Sequence, residues 1–211
     1  WFQSKGLFKN GIPVHDTIAR IISGIKPEPF QAAFVRWTQA INQHTDGALV
    51  AIDGKTLRSS YDREDRTSTI HMVSAYAAAN KLVLGQIKTD AKSNEITAIP
   101  ELLALLDIKG CLVSIDAMGC QTEIAETILQ QGGDYLLAVK GNQPKLFEAV
   151  RQALAPLAAT PLCAETVALE EARGRSGGRE YHVMGAGELA AQLTHWKQLH
   201  SIGVAISYRV E

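Results

Sequence analysis

Two isolated aspartates, Asp53 and Asp116, each follow a short apolar run of the chain. The runs are residues 48–52 and 111–115, and both have the length and apolar content that are typical of a buried strand. In sheets with parallel strands, ligands collect beyond the carboxyl ends, so acids there come close together if the strands are neighbours. We therefore expect two strands that lie side by side and end at Asp53 and Asp116.

Neighbouring carboxylates repel each other unless a cation lies between them. Their hard oxygen ligands select Mg²⁺ or Mn²⁺, so the pair predicts a divalent-metal site of the kind that catalyses phosphoryl transfer. The alternative is a turn, because Asp53 and Gly54 form a common turn dipeptide. A zinc site is not indicated, since the three cysteines lack close pairing and the six histidines show no ligand spacing.

The elements that must position these acids follow an α/β pattern. Helical periodicity over residues 13–44 predicts two helices, and three strands are then expected to form a meander. Helices and strands alternate over residues 94–155, which predicts parallel strands with helices on the sheet faces. Period-two alternation around an Arg/Gly-rich turn, within residues 165–184, predicts a β-hairpin insertion near the C-terminus.

This pattern divides the chain into three predicted parts. They are an N-terminal helical segment (1–45), a catalytic core (46–158) and a β-rich insertion with a final strand (159–211). The chain begins without Met and stops within a predicted strand, so we expect a fragment of a longer protein. The amino-acid composition is typical of a soluble globular protein. The net charge is -1, so the chain does not have the excess of basic residues that is frequent in nucleic-acid-binding proteins.

Five stretches of the chain resemble, in the same order, the ISAs1-type insertion-sequence transposases. This family is a branch of the DDE transposases and includes the H-repeat-associated proteins. The stretches are A-I-D-G-K-T-L-R (51–58), H-M-V-S-A-Y (71–76), K-S-N-E-I-T-A-I-P (92–100), S-I-D-A-M-G-C-Q (114–121) and G-G-D-Y-L-L-A-V-K-G-N-Q (132–143).

The resemblance implies a ribonuclease H-like mixed sheet flanked by helices, and metal-dependent DNA cleavage and strand transfer at insertion-sequence ends. It implies Mg²⁺ (or Mn²⁺) as cofactor, with Asp53 and Asp116 as the catalytic, metal-binding acids. The expected partners are DNA, both insertion-sequence ends and target, and further copies of the chain when it is active. We also expect a bacterial cytoplasmic location, at the nucleoid when DNA is bound, and no membrane association.

Four polar residues near the predicted strand ends are candidate DNA contacts: Lys55, Arg58, Lys140 and Asn142. Lys55 and Arg58 follow Asp53 closely and would contact phosphates. Solvated surface charge is the alternative for both, and capping of the next helix is the alternative for Asn142.

The third acid of the family is where this sequence departs from the pattern. Relatives have a late helix with H-W-x-I-E-N, whereas His195 and Trp196 here are followed by no such Glu. Glu180, in S-G-G-R-E-Y-H (176–182), is the candidate within the chain, and its alternative is an exposed strand residue. The third acid is otherwise expected beyond Glu211. The function therefore stays open between a transposase, a truncated inactive remnant that at most binds DNA, and a metal nuclease of the same fold.

Overall fold

The structure, a computed structural model, describes residues 3–6, 11–41, 47–57, 70–89, 95–159, 166–172 and 175–209. It divides into two compact units, residues 1–42 and residues 43–211. Among the described residues, no helix combines the length and the apolar character needed to cross a lipid bilayer.

The first unit contains two helices, α1 (His15–Ser23) and α2 (Pro27–Ile41), after a short 3-10 turn at Gln3–Lys5. The predicted split between the helices is confirmed. In the sequence, Trp37 belongs to an apolar helical stripe, which predicts a core position. This prediction is wrong, because the Trp37 side chain is 51% exposed. Helical periodicity defines an apolar face but not a partner to cover that face. Other apolar residues of this unit are exposed as well: Ile18, Ile21, Ile22 and Phe30.

The second unit is built on a five-stranded mixed sheet of order β3-β2-β1-β4-β5. The first three strands form an antiparallel meander, and β4 and β5 run parallel to β1. The strands are β1 (Leu49–Thr56), β2 (His71–Ala77), β3 (Leu82–Thr89), β4 (Leu112–Ile115) and β5 (Asp134–Leu137).

Three helices alternate with the later strands: α3 (Glu95–Ala104), α4 (Thr122–Gln130) and α5 (Pro144–Ala159). The main core lies between the sheet and the helices α3 and α4. Alternate strand residues point into it, as the twofold repeat of a strand requires. Its members include Val50, Ile52, Val73, Leu84, Leu102, Leu103, Val113, Ile124 and Ile128.

A second, antiparallel sheet has the order β6-β7-β8. It consists of β6 (Thr166–Ala172), β7 (Arg175–Gly185) and β8 (Ser201–Arg209), and the short helix α6 (Gly187–Gln192) lies between the last two strands. Leu154 of α5, Leu189 of α6 and Ile202 of β8 are buried in one cluster. The predicted α/β architecture is confirmed: a mixed sheet flanked by helices, with a β-hairpin near the C-terminus.

Candidate active site between β1 and β4

Asp53 and Asp116 occupy neighbouring positions on two adjacent strands. The parallel pairing of β1 with β4 ends at the partners Ile52 and Ile115, and each aspartate is the next residue of its strand. Both aspartates are exposed, whereas Ile52 and Ile115 are buried in the core. The prediction that these two strands are neighbours is confirmed, and the two acids lie at the same edge of the sheet.

The prediction that β1 ends at Asp53 is wrong, because the strand continues to Thr56. On its other side, β1 stays paired with β2, with Asp53 opposite Ser74 and Thr56 opposite His71. The Thr56 hydroxyl and His71 Nδ1 are also hydrogen-bonded, 2.9 Å apart. Asp53 is therefore held by a strand on one side, while the side towards β4 is open.

Asp116 begins a 3-10 turn at Ala117–Gly119, and its Oδ1 accepts a hydrogen bond from the Met118 amide at 3.0 Å. The turn ends at Gly119, a position that has no room for a side chain. A Cβ built there would lie 2.3 Å from Cγ2 of Ile115. Local sequence thus fixes the direction of the Asp116 carboxylate, with Oδ1 used as a cap.

The loop between β5 and α5 braces this turn. Asn142 Nδ2 donates a hydrogen bond to the Ala117 carbonyl at 2.6 Å, and Gln143 Nε2 donates one to the Cys120 carbonyl at 3.0 Å. The amide nitrogen of Asn142, which sequence analysis marked as a DNA contact, is therefore bound to the protein itself. Lys140 is exposed in the same loop.

An open cavity of about 510 Å³ is lined by the four residues that follow Asp53 in the sequence: Gly54, Lys55, Thr56 and Leu57. Lys55 is exposed, so its ammonium group can meet an anion there. Arg58, the other candidate DNA contact on this segment, lies outside the described residues.

Glu180 lies on β7 of the second sheet. Its Oε2 accepts a hydrogen bond from the Tyr208 hydroxyl at 2.9 Å and lies 3.6 Å from His182 Nε2. This hydrogen bond raises the pKa of Tyr208, since it favours the protonated phenol. No three His, Cys, Asp or Glu residues within the described ranges are grouped closely enough to hold a metal ion. The role of Glu180 as a catalytic acid stays a prediction.

Glu95 is a carboxylate that sequence analysis did not single out. It begins α3, and its side chain is buried against Gly54, the residue after Asp53. The available signal was an acid in the first helical turn, which is typical of ordinary helix starts. Only the tertiary contact distinguishes this residue.

The two aspartates suit a hard divalent cation. Each aspartate directly follows the last residue that pairs β1 with β4. Neither aspartate forms an ion pair with another residue in the described part of the chain. Like charges in neighbouring positions favour binding of a cation that neutralises them, and oxygen ligands of this type match Mg²⁺ or Mn²⁺.

Comparison with known proteins identifies the class to which this fold and site belong. The profile of the transposase DDE domain matches residues 44–162, which include both aspartates. The chain belongs to the DDE transposase family.

Its relatives include H repeat-associated proteins. The chain is 48% identical to YhhI, an H repeat-associated protein of Escherichia coli K12. It is 49% identical to the protein YbfL of the same strain. Each match covers 99% of this chain and 56% of the relative, so the chain spans little more than half their length. A piggyBac transposase in a synaptic complex with hairpin DNA matches at TM-score 0.42 and 12% identity, over 79% of this chain and 37% of that one.

Proposed function

We propose that this chain is the catalytic core of a DNA transposase that cleaves and joins DNA with Mg²⁺ or Mn²⁺. The supporting observation is the placement of Asp53 and Asp116 directly after the last paired residues of β1 and β4. Membership of the DDE transposase family supplies the reaction class. The DNA would be insertion-sequence ends and target DNA at the bacterial nucleoid, and we propose assembly of several copies to pair two ends.

In this proposal, Asp53 and Asp116 hold the cation through carboxylate oxygens. A bound divalent cation supplies activation of water or a 3' hydroxyl and stabilisation of the leaving oxygen. The hydrogen bond from the Met118 amide orients the Asp116 carboxylate, and pairing with β2 fixes the backbone of Asp53. Lys55 and Lys140, both exposed near this edge, would contact DNA phosphates. Arg58 and Asn142 remain further candidates for DNA contact.

A second candidate function is DNA binding without catalysis. It is favoured by the absence, within the described residues, of a third metal-binding group beside the two aspartates. Two-metal catalysis depends on fixed coordination of both ions, so a site with two acids would be nearly inactive. We propose that residues 1–211 alone are inactive and that a later segment supplies the third acid.

Nicking of supercoiled plasmid in Mg²⁺ separates these possibilities. Five proteins are compared: residues 1–211, their Asp53→Ala/Asp116→Ala double variant, their Glu180→Ala variant, a form lengthened to the extent of the curated relatives, and the same double variant of the lengthened form. We expect nicking above the double variant only from the lengthened form, and its loss when Asp53 and Asp116 are replaced in that form. Nicking by residues 1–211 that Glu180→Ala abolishes would make Glu180 the third ligand. An inactive lengthened form would favour the DNA-binding remnant.

A further inference from the structure

Asn142 donates a hydrogen bond to the peptide group that caps the carboxylate of Asp116. Its Nδ2 lies 2.6 Å from the carbonyl oxygen of Ala117. That carbonyl and the amide N–H of Met118 belong to one peptide unit, and this N–H donates to Asp116 Oδ1 at 3.0 Å. A carbonyl oxygen only accepts hydrogen bonds, so the nitrogen of the Asn142 amide must face it. The side chain of Asn142 is thus joined to the Asp116 carboxylate through a single peptide unit.

The planarity of this peptide unit makes the connection stiff. The unit is trans, so its C=O and N–H point in opposite directions and cannot rotate independently. Asn142 therefore fixes the plane of the peptide and, with it, the direction from which the N–H meets Asp116 Oδ1. Hydrogen bonds in such a chain also polarise one another, so the bond from Asn142 strengthens the bond to Asp116.

Asn142 is itself held in place by the loop between β5 and α5. Residues 140–143 form a hydrogen-bonded turn that leads directly into α5. The side chain of the next residue, Gln143, donates to the Cys120 carbonyl at 3.0 Å. Leu146 of α5 is buried in one cluster with Cys120. The turn after β4 and the turn after β5 are therefore packed together, and Asn142 has a fixed base from which to hold the peptide unit.

The capping bond leaves the second oxygen of Asp116 available for a cation. Within the described ranges, Oδ1 accepts from the Met118 amide and no residue donates to Oδ2. Asp116 is exposed, so an ion from solvent can reach Oδ2. A carboxylate with one oxygen held by the backbone presents the other in a defined direction, which an ion with a strict coordination geometry requires.

We infer that Asn142 is a positioning residue of the divalent-cation site, which acts on the cation through the peptide unit and the carboxylate of Asp116. This role rests on the proposed cation site at Asp53 and Asp116. Groups that hydrogen-bond to metal ligands orient them, and loss of such a group typically weakens metal affinity by about 10–100-fold. Asn142 holds the donor of Asp116 rather than Asp116 itself, so we expect an effect at the lower end of this range.

Two other roles for Asn142 have different consequences. If Asn142 only stabilises the loop, its replacement lowers the melting temperature and leaves the Mn²⁺ affinity of the folded protein unchanged. If Asn142 contacts DNA, its replacement weakens DNA binding in the absence of a cation and again leaves Mn²⁺ affinity unchanged. The positioning role alone changes both the Mn²⁺ affinity and the hydrogen bond of the Met118 amide.

The test combines Mn²⁺ binding by the 211-residue protein with the proton resonance of the Met118 amide in the metal-free protein. Binding is followed well below the melting temperature, through the loss of the electron paramagnetic resonance signal of free Mn²⁺. Asn142→Ala and Asn142→Leu lack the donor, and either serves if the other does not fold, whereas Asn142→Gln keeps the donor. Asn80→Ala is the matched control, because Asn80 is exposed in the turn between β2 and β3, on the side where β1 begins.

We expect Asn142→Ala and Asn142→Leu to weaken Mn²⁺ binding by roughly tenfold. The Met118 amide proton should move upfield in both variants, because a weaker hydrogen bond leaves this proton more shielded. Asn142→Gln should recover part of both effects, and Asn80→Ala should match wild type in both measurements.

Three results would overturn the inference, and they are distinguishable. Wild-type Mn²⁺ affinity in the variants without the donor, together with lost binding in Asp53→Asn/Asp116→Asn, would remove Asn142 from the site and keep the proposed function. Weaker Mn²⁺ binding with an unchanged Met118 amide resonance would show that the effect does not pass through the peptide unit. Equal Mn²⁺ binding by wild type and the double aspartate variant, or no binding by either, would overturn the cation site and this inference with it.

Discussion

Two glycines have specific positions beside the acids, and each is explained by a neighbouring side chain. Gly119 leaves room for Ile115, and Gly54 leaves room for the Glu95 carboxylate. At residue scale, the site therefore consists of aspartates with glycines that let other groups approach them. The Asp–Gly dipeptide at 53–54, which the sequence alone also allows as a turn, lies inside a strand because β2 pairs with it.

Substitution of Gly119 tests the packing of this site. Gly119→Ala would place a Cβ 2.3 Å from Cγ2 of the buried Ile115 and 3.1 Å from Cδ1 of Ile99, so the core side chains or the turn must move. We expect a loss of about 1–3 kcal/mol in the free energy of unfolding, the usual cost of overpacking. Urea denaturation measures it. Gly141→Ala is the control, because a Cβ at that position meets no atom within 4 Å. Equal stability of the two variants would contradict the account.

At the scale of elements, the turn after β4 is held by the loop before α5. Asn142→Ala removes the hydrogen bond from Nδ2 to the Ala117 carbonyl. We expect a loss of about 1 kcal/mol in stability, and faster hydrogen exchange in the peptide that contains the Asp116 turn. Mass spectrometry of exchanged peptides measures this, with Gln192→Ala, exposed on α6, as the control. Unchanged exchange combined with weakened DNA binding would instead make Asn142 a DNA contact.

The sequence predicted the order and type of the elements better than their ends and contacts. Apolar runs and helical periodicity predicted β1, β4 and the alternation that follows, because both patterns reflect burial. The end of β1 was predicted wrongly, since β2 extends the pairing to Thr56. For a related reason, the sequence led to a wrong interpretation of Trp37 and gave no signal that distinguished Glu95. Periodicity and residue type do not specify which residue distant in sequence covers a face or lies beside a glycine.

At the scale of the whole molecule, charge balance shapes the expected binding to DNA. The chain has 21 basic and 22 acidic side chains, so attraction to DNA must come from local clusters. We expect weak binding with little sequence preference, and affinity that falls as salt rises because counterions are released from phosphates.

Fluorescence anisotropy with labelled duplex DNA at several salt concentrations measures this dependence. Lys55→Ala and Lys140→Ala should each weaken binding and reduce the salt slope by about 1. Lys109→Ala should have little effect, because Lys109 is exposed just before β4, away from the end at Asp116. Salt-independent, sequence-specific binding by this chain would contradict the prediction.

The central claim is that Asp53 and Asp116 hold one divalent cation, and iron-directed cleavage of the protein tests it most directly. Fe²⁺ uses oxygen ligands that also bind Mn²⁺, and with ascorbate and peroxide it generates radicals that cut the nearby backbone. We expect fragments that end near Asp53 and near Asp116, suppressed by excess Mg²⁺ and absent from the Asp53→Asn/Asp116→Asn variant. Cuts beside Glu180 and His182 instead, or identical fragments from wild type and the variant, would contradict the claim.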